Sequence, residues 1–169
     1  MSHRNVFYYD EASNLTCVRD PDLGLTYYEY DLLDRMISVK NPVGEVTYYE
    51  YADCGQVQTE IHGNGTVSYY QHDAAGRTTA IEHRQSDGSE IAVLYYEYDR
   101  VGNPVSIVRE DGSATYYAYD GIYQLTGEVQ IDDEGTPTFE AEYQYDAAHN
   151  RTVKVIDGEA RGFTPPCAR

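Results

Sequence analysis

The chain has 169 residues, 41% hydrophobic and 24% charged, which suits one ordinary domain and is too short for two large ones. Twelve Lys and Arg against 29 Asp and Glu leave a formal charge of −17, which repels nucleic-acid phosphates and anionic lipid surfaces. No apolar run approaches the ~20 residues that span a bilayer as a helix, so neither nucleic-acid binding nor membrane insertion is expected.

Residues 1–6 read as a short polar leader. Met1-Ser2-His3-Arg4-Asn5 has no apolar segment behind it, so no signal peptide is expected in this chain. From residue 7 onward a repeat takes over, and tyrosine placement reveals it: the chain holds 19 Tyr, 3 Phe and no Trp. The shared unit is an aromatic, any residue, an aromatic, then Asp. It occurs as Phe7-Tyr8-Tyr9-Asp10, Tyr28-Glu29-Tyr30-Asp31, Tyr49-Glu50-Tyr51-Ala52, Tyr70-Gln71-His72-Asp73, Tyr96-Glu97-Tyr98-Asp99, Tyr117-Ala118-Tyr119-Asp120 and Tyr143-Gln144-Tyr145-Asp146. The fourth position falls at 10, 31, 52, 73, 99, 120 and 146, so the steps are 21, 21, 21, 26, 21 and 26. The period is 21, with two five-residue insertions.

Within a repeat the Tyr-x-Tyr alternation puts both rings on one face of a strand, and tyrosine favours strands. A turn follows, as in Asp73-Ala74-Ala75-Gly76 before Arg77 or Asp99-Arg100-Val101-Gly102, with Asp able to accept nearby backbone N–H groups and Gly able to take a positive φ. Next come a second strand, such as Met36-Ile37-Ser38-Val39, and a second turn, such as Asn41-Pro42-Val43-Gly44. Departures mark some units. Ala52 replaces the Asp, His72 the second Tyr, and Ser13, Asp34, Tyr123 or His149 the turn glycine, so those turns are expected to differ or to be strained.

Units of this kind predict an all-β fold: antiparallel β-hairpin repeats over residues 7–157, roughly a dozen strands or more. Twist accumulates from strand to strand, so a meander of more than about 10 strands is expected to curve into a spiralling sheet, part of a β-shell or partial barrel. The insertions, around Ser86–Leu94 and Asp132–Glu140, are expected to lengthen hairpin ends as protruding loops. Residues 158–169 break the period and read as an irregular tail, since Pro165-Pro166 cannot continue a paired strand.

Chemical sites compete poorly with this scaffold. Cys17, Cys54 and Cys167 are far apart, form no CxxC pair and read as free thiols. His62, His72 and His83 fall in a turn, a tyrosine slot and an insertion flank, which does not make a metal site. Asp132-Asp133-Glu134-Gly135 lacks the spacing of a calcium loop and reads as a hairpin tip. Ser68, Ser106 and Cys54 sit in no nucleophile motif, so the chain is expected to be no enzyme and to carry no cofactor. The tyrosine rows read as sheet-stabilising cross-strand pairs, with sugar or peptide binding as the alternative.

The Tyr-x-Tyr-Asp-x-x-Gly-Arg pattern, nearly whole in Tyr70 to Arg77 and again in Tyr96 to Asn103, resembles the YD repeat of rearrangement-hotspot (RHS) proteins. The resemblance covers about residues 7–156, and Tyr119 to Thr126 looks like the variant in which an aromatic replaces the turn glycine. It implies a long β-ribbon wound into a hollow shell, as in bacterial polymorphic toxins, insecticidal toxin complexes and teneurins. By that resemblance the chain is a non-enzymatic shell segment of a secreted or cell-surface protein. Its partners are then a polypeptide cargo, further repeats added strand to strand, or a second copy of itself. The alternative is an adhesion or recognition module that binds glycans or a protein through a tyrosine-rich face.

Overall fold

The structure is a computed structural model and describes residues 4–156 and 159–162. Its strands are β1 (Val6–Tyr9), β2 (Leu15–Arg19), β3 (Leu25–Tyr30), β4 (Met36–Lys40), β5 (Val46–Tyr51), β6 (Val57–Ile61), β7 (Val67–His72), β8 (Thr78–Arg84), β9 (Glu90–Tyr98), β10 (Pro104–Arg109), β11 (Ala114–Tyr119), β12 (Leu125–Ile131), β13 (Pro137–Tyr145), β14 (Arg151–Ile156) and β15 (Glu159–Gly162). Each strand hydrogen-bonds to the next in sequence, giving one open 15-stranded sheet in the order β1 to β15. Antiparallel hairpins joined by short loops can do nothing else: each strand's nearest partner in space is its neighbour in sequence.

Both turns of a repeat share one form. The first residue's amide donates to the carbonyl of the fifth, and the fourth residue's amide donates back to the carbonyl of the first, from Asp10–Asn14 through Asn41–Glu45 to Asp146–Asn150. This is the type I turn closed by a left-handed residue that suits a three-residue hairpin loop. Every left-handed residue among those described occupies the fourth place of such a turn, glycine or not: Ser13 (φ 71°), Leu23 (71°), Asp34 (58°), Tyr123 (68°) and His149 (66°) stand beside Gly44, Gly76 and Gly102. The turns without glycine therefore do not differ in shape; they carry strain at a residue with a Cβ.

The insertions form strands, not protruding loops. In the short repeats the second turn opens ten residues after the motif position, as at 10 and 20 or 31 and 41; in the long ones it opens twelve after, at 73 and 85 or 120 and 132. The turns Gln85–Ser89 and Asp132–Thr136 keep the common form, so the added residues lengthen β8 and β12 to 7 residues and β9 and β13 to 9. Adding two residues preserves which face each side chain takes, whereas one would reverse it. The odd fifth residue is absorbed where the register steps from Gln130↔Phe139 to Ile131↔Pro137, leaving Thr138 in a bulge.

At the C-terminal side, residues 159–162 of the expected irregular tail pair with β14 as β15, from Ile156↔Glu159 to Val153↔Gly162. Glu159–Gly162 contains no proline, so it can complete the ladder with β14 although the period is broken. Cys167 and Pro165-Pro166 lie outside the described residues.

Two compact units divide the chain, Met1–Gly76 with Ile81–Ile91 and Arg77–Ala80 with Ala92–Arg169. Neither has a deep core. The buried apolar side chains among the described residues are Ala80, Val93, Ala114, Ala141 and Tyr143, and no large side chain is completely enclosed. With no helix among the described residues to cover a face, the strands rely on cross-strand pairs and turn bonding.

Small residues at the seventh place after the motif make one such row. In the first unit Ser38 lies between Glu29 and Tyr48, and Thr59 between Glu50 and Tyr69. In the second unit Ser106 lies between Glu97 and Tyr116. All three small residues are buried, and the hydroxyls of Ser38 and Ser106 donate to Glu29 (2.9 Å) and Glu97 (3.0 Å).

Candidate functional site

The second tyrosine of the motif is a clip. Its ring lies toward the preceding repeat, and its hydroxyl donates to the carbonyl of that repeat's second strand at its first residue. In the first unit Tyr30 reaches Leu15 (3.0 Å) and Tyr51 reaches Met36 (2.6 Å). In the second, Tyr98 reaches Thr78 (2.7 Å), Tyr119 reaches Pro104 (2.9 Å) and Tyr145 reaches Leu125 (2.9 Å). These bonds close the end of the strand pair that the ladder leaves open: the β2–β3 register runs only from Cys17↔Tyr27 to Arg19↔Leu25. At the fourth motif His72 takes the tyrosine's place, and no clip forms there among the described residues.

The arginine that ends the motif caps the clip from above. Arg35 Cζ sits 4.6 Å from the centre of the Tyr51 ring and Arg77 Cζ 4.9 Å from that of Tyr98, near enough for cation–π attraction. Arg35 also holds Asp31 at 2.7 Å, and Arg77 donates to the Asp99 carbonyl at 3.0 Å. Asp31 in turn accepts the amides of Leu33 (2.8 Å) and Arg35 (3.0 Å). Asp99 does the same for Val101, Gly102 and Asn103, Asp120 for Ile122 and Gln124, and Asp146 for Ala148 and Asn150; Asp73 accepts Ala75. The amide bonds from Arg35 and Asn150 hold the Asp31 and Asp146 carboxyls below the usual carboxylate range. Gly76 and Gly102 supply the left-handed fourth residue.

The first tyrosines, Tyr28, Tyr49, Tyr70, Tyr96, Tyr117 and Tyr143, lie half-buried or buried, the first five on the opposite face from the exposed tyrosines that precede them. In two repeats a carboxylate faces them, and composition gave no hint of it. Glu60 pairs across from Tyr49 and accepts the Tyr70 hydroxyl at 3.1 Å; Glu128 pairs across from Tyr117 and accepts that of Tyr143 at 3.3 Å. Burial first, then the nearby carboxylate, raises the Tyr49, Tyr117 and Tyr143 hydroxyl pKa values. Burial likewise raises those of Tyr30 and Tyr119. Aligning the eighth residue after each motif shows the signal: Val18, Val39, Ile81 and Ile107 stand where Glu60 and Glu128 do.

The remaining candidates are dispersed. His62 lies 3.8 Å from Glu60, while His83 Nδ1 bonds the Ser68 hydroxyl at 2.8 Å, with Ser68 itself buried. Asp132 spends its carboxylate on the amides of Glu134 and Thr136. Among the described residues no three His, Cys, Asp or Glu side chains converge on a point, and Cys17 and Cys54 are free. On the face of the exposed tyrosines in the first unit lies a cleft of about 530 Å³ lined by Tyr27, Glu29, Ser38, Lys40 and Tyr48.

Comparison with known proteins agrees with this geometry. Residues 9–46 match the RHS Repeat family. No curated protein sequence matches the chain. Among solved structures, TcdB2-TccC3 superposes with a TM-score of 0.73 at 22% identity over 90% of this chain and 9% of that one. The Photorhabdus luminescens Tc holotoxin pore gives 0.71 at 20% identity over 94% of this chain and 9% of that one. A porin-like protein from Bacteroides uniformis gives 0.51 at 13% identity, over 94% and 86% of the two chains. These likenesses are of fold, and the chain spans about a tenth of the length of the Tc chains it matches. Residues 9–46 thus match an RHS repeat by sequence, and the same turn geometry recurs from Asp10 to Asn150 in a fold like that of the Tc chains.

Proposed function

We propose that the chain is a structural, non-catalytic RHS segment of a toxin-delivery or cell-surface protein, working outside the cell as part of a longer polypeptide and forming part of a shell that encloses or carries a toxin polypeptide. The observation that carries this reading is the use of the motif side chains: clip tyrosines and capping arginines join repeat to repeat, while the aspartates close the turn within each repeat. The fold shared with the Tc holotoxin pore supports it. Partners are then a polypeptide held against the ribbon and strands added at its open edge. Reduced, carboxymethylated lactalbumin, a permanently unfolded probe, tests the carrying role. It should co-elute with the chain and resist trypsin; a digestion rate unchanged by an equimolar amount of the chain would refute it.

A second reading rests on the outward tyrosines. Tyr27, Tyr48 and Tyr69 are 46%, 51% and 41% exposed, and the cleft between Tyr27 and Tyr48 is of a size that holds small ligands. This face suits glycans or a partner protein. Tyrosine emission, clean in a chain without tryptophan, should change on titration with soluble oligosaccharides, and a flat response to a panel of them removes this reading.

A further inference from the structure

Three inner strands of the first unit lay out the cleft between Tyr27 and Tyr48 as a grid. Glu29, Ser38 and Tyr48 stand side by side across β3, β4 and β5; two residues along the same strands, so do Tyr27, Lys40 and Val46. All six line the cleft. By strand spacing and rise the grid measures about 10 Å across the strands and about 7 Å along them, with the tyrosines at opposite corners. Buried Ser38 keeps its middle low, and the Ser38 hydroxyl holds one oxygen of Glu29 at 2.9 Å. The other oxygen of Glu29, an exposed residue, has no hydrogen-bond partner among the described residues. Lys40 is exposed as well and has no carboxylate within ion-pair reach among them.

The same grid recurs twice without the cation. Tyr48, Ile61 and Val67 with Glu50, Thr59 and Tyr69 make the next one. Tyr95, Val108 and Ala114 with Glu97, Ser106 and Tyr116 make one in the second unit. Ile61 and Val108 fill the place of Lys40, so the sheet builds without a charge there, and β-branched residues suit a strand better than lysine does. Lys40 is therefore surplus to the fold. In a chain of net charge −17 it sets a local cation between two exposed tyrosines, where a ligand with its own anion can use it.

We propose that this cleft binds one hexuronic acid residue of an acidic glycan. Each requirement comes from a group in the grid: an anion for Lys40, hydroxyls that donate for the open oxygen of Glu29, and the C–H faces of a saturated ring for Tyr27 and Tyr48. A uronic acid carries its carboxylate at the end of the ring away from the 2- and 3-hydroxyls, and Lys40 and Glu29 stand in different rows of the grid to meet the two ends. The proposal rests on the glycan reading of the tyrosine face given above and names the sugar.

Methyl glucuronide and methyl galacturonide, each compared with its neutral glucoside or galactoside, test it in NMR titrations of the full chain. At least one uronide should shift the Tyr27 and Tyr48 resonances and bind about fivefold tighter than its neutral partner. Lys40→Ile, which copies the next grid, and Lys40→Gln should both erase that difference while leaving the neutral sugar's affinity and the melting temperature unchanged; Lys40→Arg should keep it. Equal affinity within both pairs, or a preference that survives Lys40→Ile and Lys40→Gln, overturns the proposal and leaves the glycan reading standing. Binding by none of the four sugars also overturns it, and if the oligosaccharide panel is silent too, the glycan reading falls with it.

Discussion

Replacing Tyr51 by Phe isolates the clip hydroxyl. The ring stays beneath Arg35, 4.6 Å away, while the 2.6 Å bond to the Met36 carbonyl is lost. A hydrogen bond of this kind contributes about 0.5–1.5 kcal/mol net, and the half-buried carbonyl can regain water, so a loss of about 1 kcal/mol is expected. In a domain of this size that lowers Tm by about 2–4 °C. Repeat arrays unfold in sections, so amide exchange around β4 and β5 is the sharper readout than a global melt. Tyr48→Phe is the control, since Tyr48 is half exposed and faces the other side of the sheet. A cycle with Arg35→Gln separates the ring from the hydroxyl: Tyr51→Phe should couple weakly to it, whereas Tyr51→Leu should couple by about 0.5–1 kcal/mol, the usual size of an exposed cation–π contact. Equal losses for Tyr51→Phe and Tyr48→Phe would refute the clip.

His72→Tyr supplies the missing clip to the neighbourhood of Val57 and should raise stability in urea by about 1 kcal/mol. Tyr123→Gly relieves a left-handed residue (φ 68°); the relief of about 1–2 kcal/mol exceeds the greater freedom of unfolded glycine, leaving a gain of about 0.5 kcal/mol in the same assay. Because folding lowers the Asp31 and Asp146 carboxyl pKa values, their contribution is complete above the ordinary carboxylate range and fades as pH falls through the depressed values. Acid unfolding should thus begin below about pH 4, and Asp31→Asn should flatten that limb. Folding raises the Tyr49, Tyr117 and Tyr143 pKa values, so their contribution is complete below about pH 10 and declines as pH rises through the raised values, which tyrosinate absorbance in folded and urea-unfolded chain would follow.

Period and turn chemistry made the sheet legible, because a strand alternates with period two and its turn needs Asp and a left-handed residue at set places. Ser13, Asp34, Tyr123 and His149 stood out at the glycine place of the first turn, whereas left-handed Leu23, in a second turn, was hidden because local preference for glycine yielded to the pairing on either side. Insertions look like loops in a linear alignment, and only the rule of even increments shows why β8 and β9 grew instead. Arg35 was missed since its partner Tyr51 belongs to the next repeat, and Glu60 and Glu128 since their partners lie across strands. The buried Ser38, Thr59 and Ser106 leave a trace in the sequence, a column of small residues seven after each of the first six motifs, visible once the repeats are stacked.

The shared form of the two turns has a consequence for how such chains change in length. Each unit leaves the polypeptide on the edge, face and heading at which it found it, and the clip asks only for a carbonyl one step behind. A duplicated or deleted unit therefore meets the same backbone partners as the original, and the junctions sensitive to identity are those where side chains of neighbouring units meet, such as the His72 slot, Arg35 over Tyr51 and Glu60 with Tyr70. Unequal recombination between near-identical units would then change the reach of the ribbon without having to reinvent any contact.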